Sequence, residues 1–321
     1  MKIVVTGGAG YIGSHTVQVL VAAGHDVVSV DRRPMPDWLP ATGARSEVVD
    51  IRDLAALDAA IEGFRPEAVM HFAAEKSAPR SVLDPFTAFD ANVAGTTNVL
   101  EAMGRHGVRF MIFSSSCAVY GTPAASPVDE AAPLAPENPY GESKVLGERL
   151  LPWFERAHEI RFAALRYFNA AGAALDGSNG EDGTSAVSLI PTTIEAALGR
   201  RPPLEIYGRD YETPDGTAIR DYVHVVDLAE AHLAALEVRR RGSPSLTLNL
   251  GTGRGASVLD VVRAVGAAFG RSVPHVFAGR RPGDPAAVWA DPRLAARALG
   301  WTARLDLDAI VGSALAWQRR P

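Results

Sequence analysis

Five residues of strand-like sequence, Lys2–Thr6, run into Gly7-Gly8-Ala9-Gly10-Tyr11-Ile12-Gly13, and a helical pattern follows from Tyr11 to Ala23. No other stretch limits the fold as strongly. Gly8, Gly10 and Gly13 have the spacing G-x-G-x-x-G. Glycine permits the tight turn and lets the backbone approach a pyrophosphate, and the start of the helix supplies free N–H groups and a favourable dipole. Such a match is weak by itself; a strand before it and a helix behind it give the context it needs. Gly7, Gly10, Tyr11, Ile12 and Gly13 are therefore candidate dinucleotide contacts.

The pattern repeats downstream. Val27–Val30, Glu47–Val49, Ala68–Phe72 and Arg109–Ser114 read as short apolar strands. Asp53–Glu62 and a long stretch, Phe86–Arg105, read as helices between them. Alternation of this kind builds a parallel sheet with helices on both faces, and apolar strands without polar alternation fit a sheet buried on both sides. The fold class expected is α/β: a Rossmann-type doubly wound parallel sheet with a smaller C-terminal α/β substrate-binding lobe. Residues 1–170 form the dinucleotide-binding domain in this reading, and residues 171–321 form mainly the substrate lobe. The chain re-enters the main sheet near 218–252. Loops rich in Gly, Pro and Asp at Gly172–Gly183, Arg200–Pro203, Gly208–Thr217 and Gly279–Pro285 suit binding residues carried over a rigid scaffold.

Composition removes several classes of function. The 321 residues carry a net charge of -5 and no strongly basic run, which gives nucleic-acid binding no electrostatic footing. Arg239-Arg240-Arg241 reads as a solvated helix end. No apolar run approaches the roughly 20 residues needed to span a bilayer, so no membrane partner is expected. The one cysteine, Cys117, cannot form an internal disulfide, which suits a cytoplasmic setting. It reads as a small packing residue rather than a functional thiol. No metal site is expected.

Asp31 ends the second strand. A carboxylate there accepts hydrogen bonds from a ribose diol and repels a 2′-phosphate, favouring NAD, although Arg32 and Arg33 beside it could accommodate that phosphate. Asp50 and Ile51 follow the third strand; they either frame the adenine or simply cap the next turn. Ser114-Ser115-Ser116 ends a strand at the sheet edge where ligands bind in such folds. Tyr140 and Lys144, four residues apart at the start of a helix after Pro139, lie on one helix face. A tyrosine titrates near pH ~10, and the expectation is that a nearby ammonium and an oxidised nicotinamide lower that value. The phenolate then takes a proton from a sugar hydroxyl as hydride leaves the same carbon.

These segments, with HFAAEK from His71, NVAGT from Asn92, FSSSCAVYG from Phe113, NPYGESK from Asn138, LRYFNAAGA from Leu165, GRDYETPDGTAIRDYVHVVDLAEAH from Gly208, NLGTGRGASV from Asn249 and RRPGD from Arg280, make the chain resemble the UDP-glucose 4-epimerase family of the extended short-chain dehydrogenase/reductase superfamily, nearly end to end. The resemblance implies roles by position. Ser116 matches the catalytic serine, Tyr140 the base and Lys144 the lysine that holds the nicotinamide ribose. Phe72, Ala73, Ala74, Lys76, Asn92, Ser114 and Tyr167 match positions lining NAD. Lys76, Ser116, Tyr140, Asn169, Ser188, Leu189, Tyr207, Arg220, Arg281 and Asp284 match positions around the UDP-sugar. For Arg220, a structural ion pair with Asp221 or Asp227 is the other reading. The family reaction is a round trip: hydride leaves C4 for NAD, the 4-keto sugar turns over while its UDP stays anchored, and hydride returns to the opposite face. A homodimer is implied, with the 86–105 and 139–157 helices as candidates, although their apolar faces could equally be buried within one subunit.

Departures from the family pattern are specific. Ala78-Pro79-Arg80-Ser81 stands where the family loop has V-G-E-S, Ser188 replaces a longer polar residue, and Cys117-Ala118 replaces Ala-Thr. That pair also excludes the Asp-Glu of the 4,6-dehydratases. Val288, four residues after Asp284, occupies a position where a tyrosine is associated with exclusion of N-acetyl sugars. Activity on UDP-N-acetylglucosamine is therefore expected beside UDP-glucose and UDP-galactose, unless Val288 is strand packing before Trp289 or Arg80 fills the space. Another nucleotide sugar and a non-catalytic NAD-binding regulator are the competing readings; retention of Tyr140 and Lys144 weighs against the second.

Overall fold

The computed structural model describes residues 1–37, 43–181, 187–281 and 283–320. Asp182-Gly183, at the end of one expected loop, and Pro282, within another, lie outside the described residues. The first half runs β1 (Lys2–Thr6), α1 (Tyr11–Ala22), β2 (Asp26–Asp31), β3 (Arg45–Val48), α2 (Leu54–Phe64), β4 (Ala68–His71), α3 (Ala78–Leu83), α4 (Pro85–Phe89), a π-helical turn (Asp90–Ala94), α5 (Gly95–Arg105), β5 (Phe110–Ser116), α6 (Pro139–His158) and β6 (Arg161–Tyr167). The second half runs β7 (Asn169–Ala171), α7 (Leu189–Ala197), β8 (Leu204–Tyr207), β9 (Ile219–Arg220), β10 (Tyr222–His224), α8 (Val225–Arg240), β11 (Leu246–Leu250), β12 (Ala256–Ser257), α9 (Val258–Phe269), β13 (His275–Ala278), β14 (Ala287–Val288), α10 (Arg293–Leu299) and α11 (Leu307–Gln318).

Seven strands form one sheet in the order β11-β6-β5-β4-β1-β2-β3, every neighbouring pair parallel. Successive side chains of a strand point to opposite faces, and β1 shows the consequence. Ile3 and Val5 join a core with Val17 and Leu20 of α1 and Leu228 and Leu236 of α8. Val4 joins another with Leu57 and Ile61 of α2, Val99 and Met103 of α5 and Leu151 of α6. The sheet is thus buried on both faces, as its unalternating strands require. Strand β11 brings the chain back into this sheet after the loops of the second half, whereas β9 and β10 belong to small separate sheets. A further core of Ile190, Ile194, Ile206, Val261, Val265, Ile310 and Leu315 sits under α7, α9 and α11.

Two sequence expectations change. Phe86–Arg105 is not one α-helix: it is α4, the π-helical turn and α5. The residues after Lys76 form the helix α3, not a loop, because the Ser77 side chain caps the Arg80 N–H at 3.2 Å and Pro79 suits the first turn.

The glycine turn is closed around itself. Gly7 has φ +75, and a Cβ there would stand 2.5 Å from the Ala73 nitrogen; a Cβ on Gly13 would stand 2.2 Å from the Gly7 carbonyl oxygen. Both clashes are with backbone, which cannot rotate away. Gly13→Ala is therefore expected to open the turn and abolish nucleotide retention, read as the absorbance of nucleotide released on denaturation. Retention at the parental level would contradict this account of the turn.

Candidate active site

The glycine turn, the end of β2 and the start of α1 make a cradle beside the ends of β4 and β5. Asp31 is buried there, and its carboxylate accepts the Ala9 N–H at 3.2 Å and the Arg33 N–H at 3.0 Å. The Arg33 guanidinium stays mostly exposed, 3.7 Å from the same carboxylate. A cradle that a methyl group would fill, a helix N-terminus and a carboxylate at the strand end are what an NAD molecule needs. Tyr11 opens α1 and donates its hydroxyl to the Gly172 carbonyl at 2.7 Å, and Ile12 packs on the core beneath. Asp50 pairs with Arg52 at 2.7 Å, and Ile51 is buried against Gly95.

The residues after β4 follow the cradle. The Phe72 N–H bonds the Thr6 carbonyl at 2.9 Å, bringing Phe72, Ala73 and Ala74 against the turn. Asn92, in the π-helical turn, is buried and fully engaged: it donates to the Glu75 carbonyl at 3.0 Å and to the Ser143 hydroxyl at 2.8 Å, and accepts the Glu75 N–H at 2.7 Å. Its side chain shapes the cofactor loop and ties it to α6. Lys76 is exposed, 3.2 Å from Glu181.

Ser114 and Ser116 share one face of β5, and Tyr140 and Lys144 arrive on α6 beside them. The Ser116 hydroxyl interacts with the Tyr140 phenol, favouring the phenolate. Lys144 donates to the Ser114 carbonyl at 2.8 Å, and its nitrogen lies 5.8 Å from the centre of the Tyr140 ring. Ser114 also shares a hydrogen bond with the Tyr167 hydroxyl, and burial pushes the Tyr167 phenol up. Burial pushes the Tyr140 phenol up to about 12, against the opposing pull of Ser116. The lysine's share of the expected lowering is outweighed by burial. The lysine bonds a backbone carbonyl rather than the phenol, and desolvation of the anion dominates. Burial also lowers Lys144 to about 8, while Glu148 opposes that fall.

The substrate-side residues come from five segments of the second half. Arg220 on β9 pairs with Asp284 at 2.5 Å, not with Asp221 or Asp227 as the sequence had allowed. The Asp221 carboxylate is occupied by the backbone N–H groups of Thr252, Gly253 and Ala290, and that of Asp227 by those of Arg304 and Leu305. The Arg281 guanidinium lies 3.8 Å over the Tyr207 ring, whose hydroxyl donates to Glu205 at 2.6 Å. Asn169 is exposed at the start of β7. Ser188 caps α7, which Leu189 opens, and donates its hydroxyl to Glu181 at 3.1 Å. Val288 stands in register with Arg220 and is buried in a cluster with Val119, Tyr120, Val128 and Phe168, so its side chain fills packed space. Cys117 packs on the same cluster, and burial pushes its thiol up to about 12, which leaves it unreactive at neutral pH. Arg80 is exposed on α3.

Sequence reasoning missed three residues. Ser81, fully buried on α3, accepts the Tyr140 N–H at 3.1 Å and donates to the Ala78 carbonyl at 2.7 Å. Ser143 donates to the Tyr140 carbonyl at 2.7 Å. Both backbone groups of Tyr140 are therefore held. Glu181 accepts from both Lys76 and Ser188, joining the cofactor loop to α7. Only Ser81 left a signal, as the residue that the 78–81 stretch shares with V-G-E-S.

A buried parallel sheet, a dinucleotide cradle at its carboxyl edge and a Ser-Tyr-Lys set beside it define an enzyme of the short-chain dehydrogenase/reductase type that works with a nicotinamide cofactor. The chain belongs to the NAD dependent epimerase/dehydratase family, whose model matches residues 3–251. It is 46% identical to the UDP-glucose 4-epimerase of Azospirillum brasilense over 99% of this chain and 92% of that one. Among solved structures it is similar to UDP-glucose 4-epimerase from Brucella ovis in complex with NAD, with TM-score 0.93, 44% identity and coverage of 98% and 97% of the two chains. The enzyme from Stenotrophomonas maltophila with bound NAD and formylated UDP-arabinopyranose gives TM-score 0.95 and 40% identity over 99% and 98% of the chains.

Proposed function

We propose that the protein interconverts UDP-glucose and UDP-galactose by epimerisation at C4, using NAD that it keeps bound. The observation that carries this reading is the meeting of Ser116, Tyr140 and Lys144 beside the glycine cradle. NAD, when bound in this cradle, would supply the acceptor and donor for the C4 hydride. Tyr140 takes the proton from the 4-hydroxyl and gives it back on the other side of the cycle. Ser116 orients that hydroxyl, and Lys144 holds the ribose end of the cofactor and adds a positive charge near the phenol. Arg220 and Arg281 face the diphosphate, with Asn169, Ser188, Leu189, Tyr207 and Asp284 around the uridine end; guanidinium forks suit phosphate oxygens. Few groups are committed to the sugar, which leaves it free to turn while its nucleotide stays anchored. The two-part division of the chain follows: cofactor chemistry from residues 1–170 with the return near 218–252, substrate anchoring mainly from 171–321.

Because the hydride returns, NAD is not consumed. The purified protein is expected to release NAD on denaturation and to need none added; recovery of mainly NADP, or a strict need for added NAD, would oppose the assignment of Asp31. A second reading, turnover of N-acetyl or pentose sugars, rests on the Stenotrophomonas maltophila relative with bound formylated UDP-arabinopyranose and not on Val288, whose side chain fills packed space. A panel of UDP-sugars with products identified by NMR tests both. Because Val288 is packed, Val288→Tyr is expected to overfill the cluster and lower activity on both sugars; loss of the N-acetyl activity alone would return the position to sugar selection.

The active form proposed is a homodimer. Phe86 on α4 and Trp153 on α6 are exposed large apolar side chains, as are Val82 and Leu83 on α3, and exposed apolar surface on these helices suits an interface. Phe86→Glu with Trp153→Glu should yield a monomer by light scattering. A cytoplasmic setting fits the single buried thiol, and no helix among the described residues is long and apolar enough to cross a membrane.

A further inference from the structure

We propose that Glu148 is the positioning residue of this site: its carboxylate ties the helix carrying Tyr140 and Lys144 to the strand carrying Ser114 and Ser116, and sets a negative charge one helical turn from Lys144. This rests on the reading of Ser116, Tyr140 and Lys144 given above.

The geometry starts from helical spacing. Glu148 follows Lys144 by one turn on α6, as Lys144 follows Tyr140. The Lys144 nitrogen bonds the Ser114 carbonyl at 2.8 Å, and the Ser115 hydroxyl donates to Glu148 at 2.5 Å. Consecutive residues of β5 are thus bonded to side chains one turn apart on α6. A slip between strand and helix would break both bonds and misplace Ser116 against Tyr140. Gly147 tightens the same contact, since a Cβ there would stand 2.5 Å from the Phe113 ring.

The carboxylate is itself held from behind. Arg166, in register with Ser115 on β6, donates to it through Nε at 2.8 Å and a terminal nitrogen at 2.5 Å. The two side chains are only 9% and 7% exposed. Arg166 also donates to the Tyr120 hydroxyl at 2.9 Å, which donates to Asn249 on β11 at 2.7 Å. A buried pair of this kind is weak evidence for stability, because desolvation offsets the attraction. Its partners here are the elements of the site, which gives it a different use.

The groups facing Lys144 are few. From β5 come the Ser114 carbonyl and the Phe113 ring at 5.3 Å; from α6 come the Tyr140 ring and Glu148; from β4 comes His71, held neutral by burial and by Lys144 itself. Burial drives the lysine toward the neutral amine, and the carboxylate that opposes this is Glu148. Without it, the positive charge beside Tyr140 is lost at a lower pH.

The chain has three lysines, Lys2, Lys76 and Lys144, of which the first two are exposed. Lysine labelled with ¹³C at Cε therefore gives three signals to follow in the NAD-containing protein. In Glu148→Gln the Lys144 midpoint is expected to fall by about one pH unit, an opposite charge having been removed, while Lys2 and Lys76 stay. The alkaline limb of turnover should fall with it; a purely structural loss would lower activity evenly at every pH. An unmoved Lys144 midpoint in the folded variant overturns the proposal. If Arg166, left unpaired, prevents folding, Glu148→Gln with Arg166→Gln replaces the ion pair by a neutral pair; the Lys144 midpoint should then fall by less, because a cation leaves with the anion, and no fall together with full activity overturns the proposal. Ser115→Ala keeps both charges and is expected to lower kcat roughly tenfold by loosening the alignment, with the Lys144 midpoint unchanged; full activity would overturn the alignment. A parent protein that fails to turn over any UDP-sugar would sink the epimerase reading, while the lysine titration would still decide the role of Glu148.

Discussion

Tyr140→Phe is expected to lose about 10²–10⁴-fold in turnover, the usual contribution of a general acid–base group, with bound NAD unchanged. The expectation follows from what holds the residue. Its backbone N–H and carbonyl are bonded to Ser81 and Ser143, neither of which needs the phenol oxygen. The ring still fills its place, and Lys144 keeps its bond to Ser114. Only the proton acceptor is removed. Burial outweighs the pull of Ser116 and pushes this phenol up to about 12; the positive charges of NAD, when bound, and of Lys144 would act in the opposite direction. Turnover by the variant within a few-fold of the parent, at equal NAD content, would mean that another group accepts the proton.

Acid is expected to unfold the protein through its buried histidines. His15, His71, His224 and His232 are buried, and burial lowers His71 to about 3 and the others to about 4. Their surroundings suit neutral rings. His224 accepts the Val226 N–H at 3.1 Å, and the Nε2 atoms of His15 and His232 have no hydrogen-bond partner among the described residues. In the unfolded chain each titrates near ~6.5. Above that value both states are neutral and the histidines contribute nothing to the pH dependence. As pH falls below it, the unfolded chain takes up protons that the folded one refuses, and stability is lost until the folded values are reached. Each pH unit costs about 1.4 kcal/mol per histidine. By pH ~5 the four together cost about 8 kcal/mol, comparable to the ~5–15 kcal/mol that holds a domain folded. Far-UV circular dichroism of the ligand-free protein should show a midpoint between about pH 4 and 5.5. A fully native signal at pH 4 would contradict this account of the histidine environments.

Legibility in the sequence followed the range of the interaction. The glycine turn, β1 and α1 are local, and their spacing alone places them. Tyr140 and Lys144 share a helical period, so their common face could be read directly. The short helix α3 has no periodicity to read, and Ser81 becomes meaningful only when α3 packs on α6. Arg220 and Asp284 are 64 positions apart, and two nearer aspartates offered themselves as partners; backbone N–H groups had already claimed both. The π-helical turn needed the Asn92 bonds to Glu75 and Ser143 to be seen, and the burial of Val288 depends on loops that converge from far along the chain.

In the proposed reaction a hydride leaves C4 and returns to C4 within one site. UDP-galactose is incubated in D₂O with the purified protein and no added nucleotide, and the products are followed by proton NMR. The account predicts UDP-glucose approaching equilibrium with protium retained at C4. No conversion, or deuterium incorporated at C4, would contradict it.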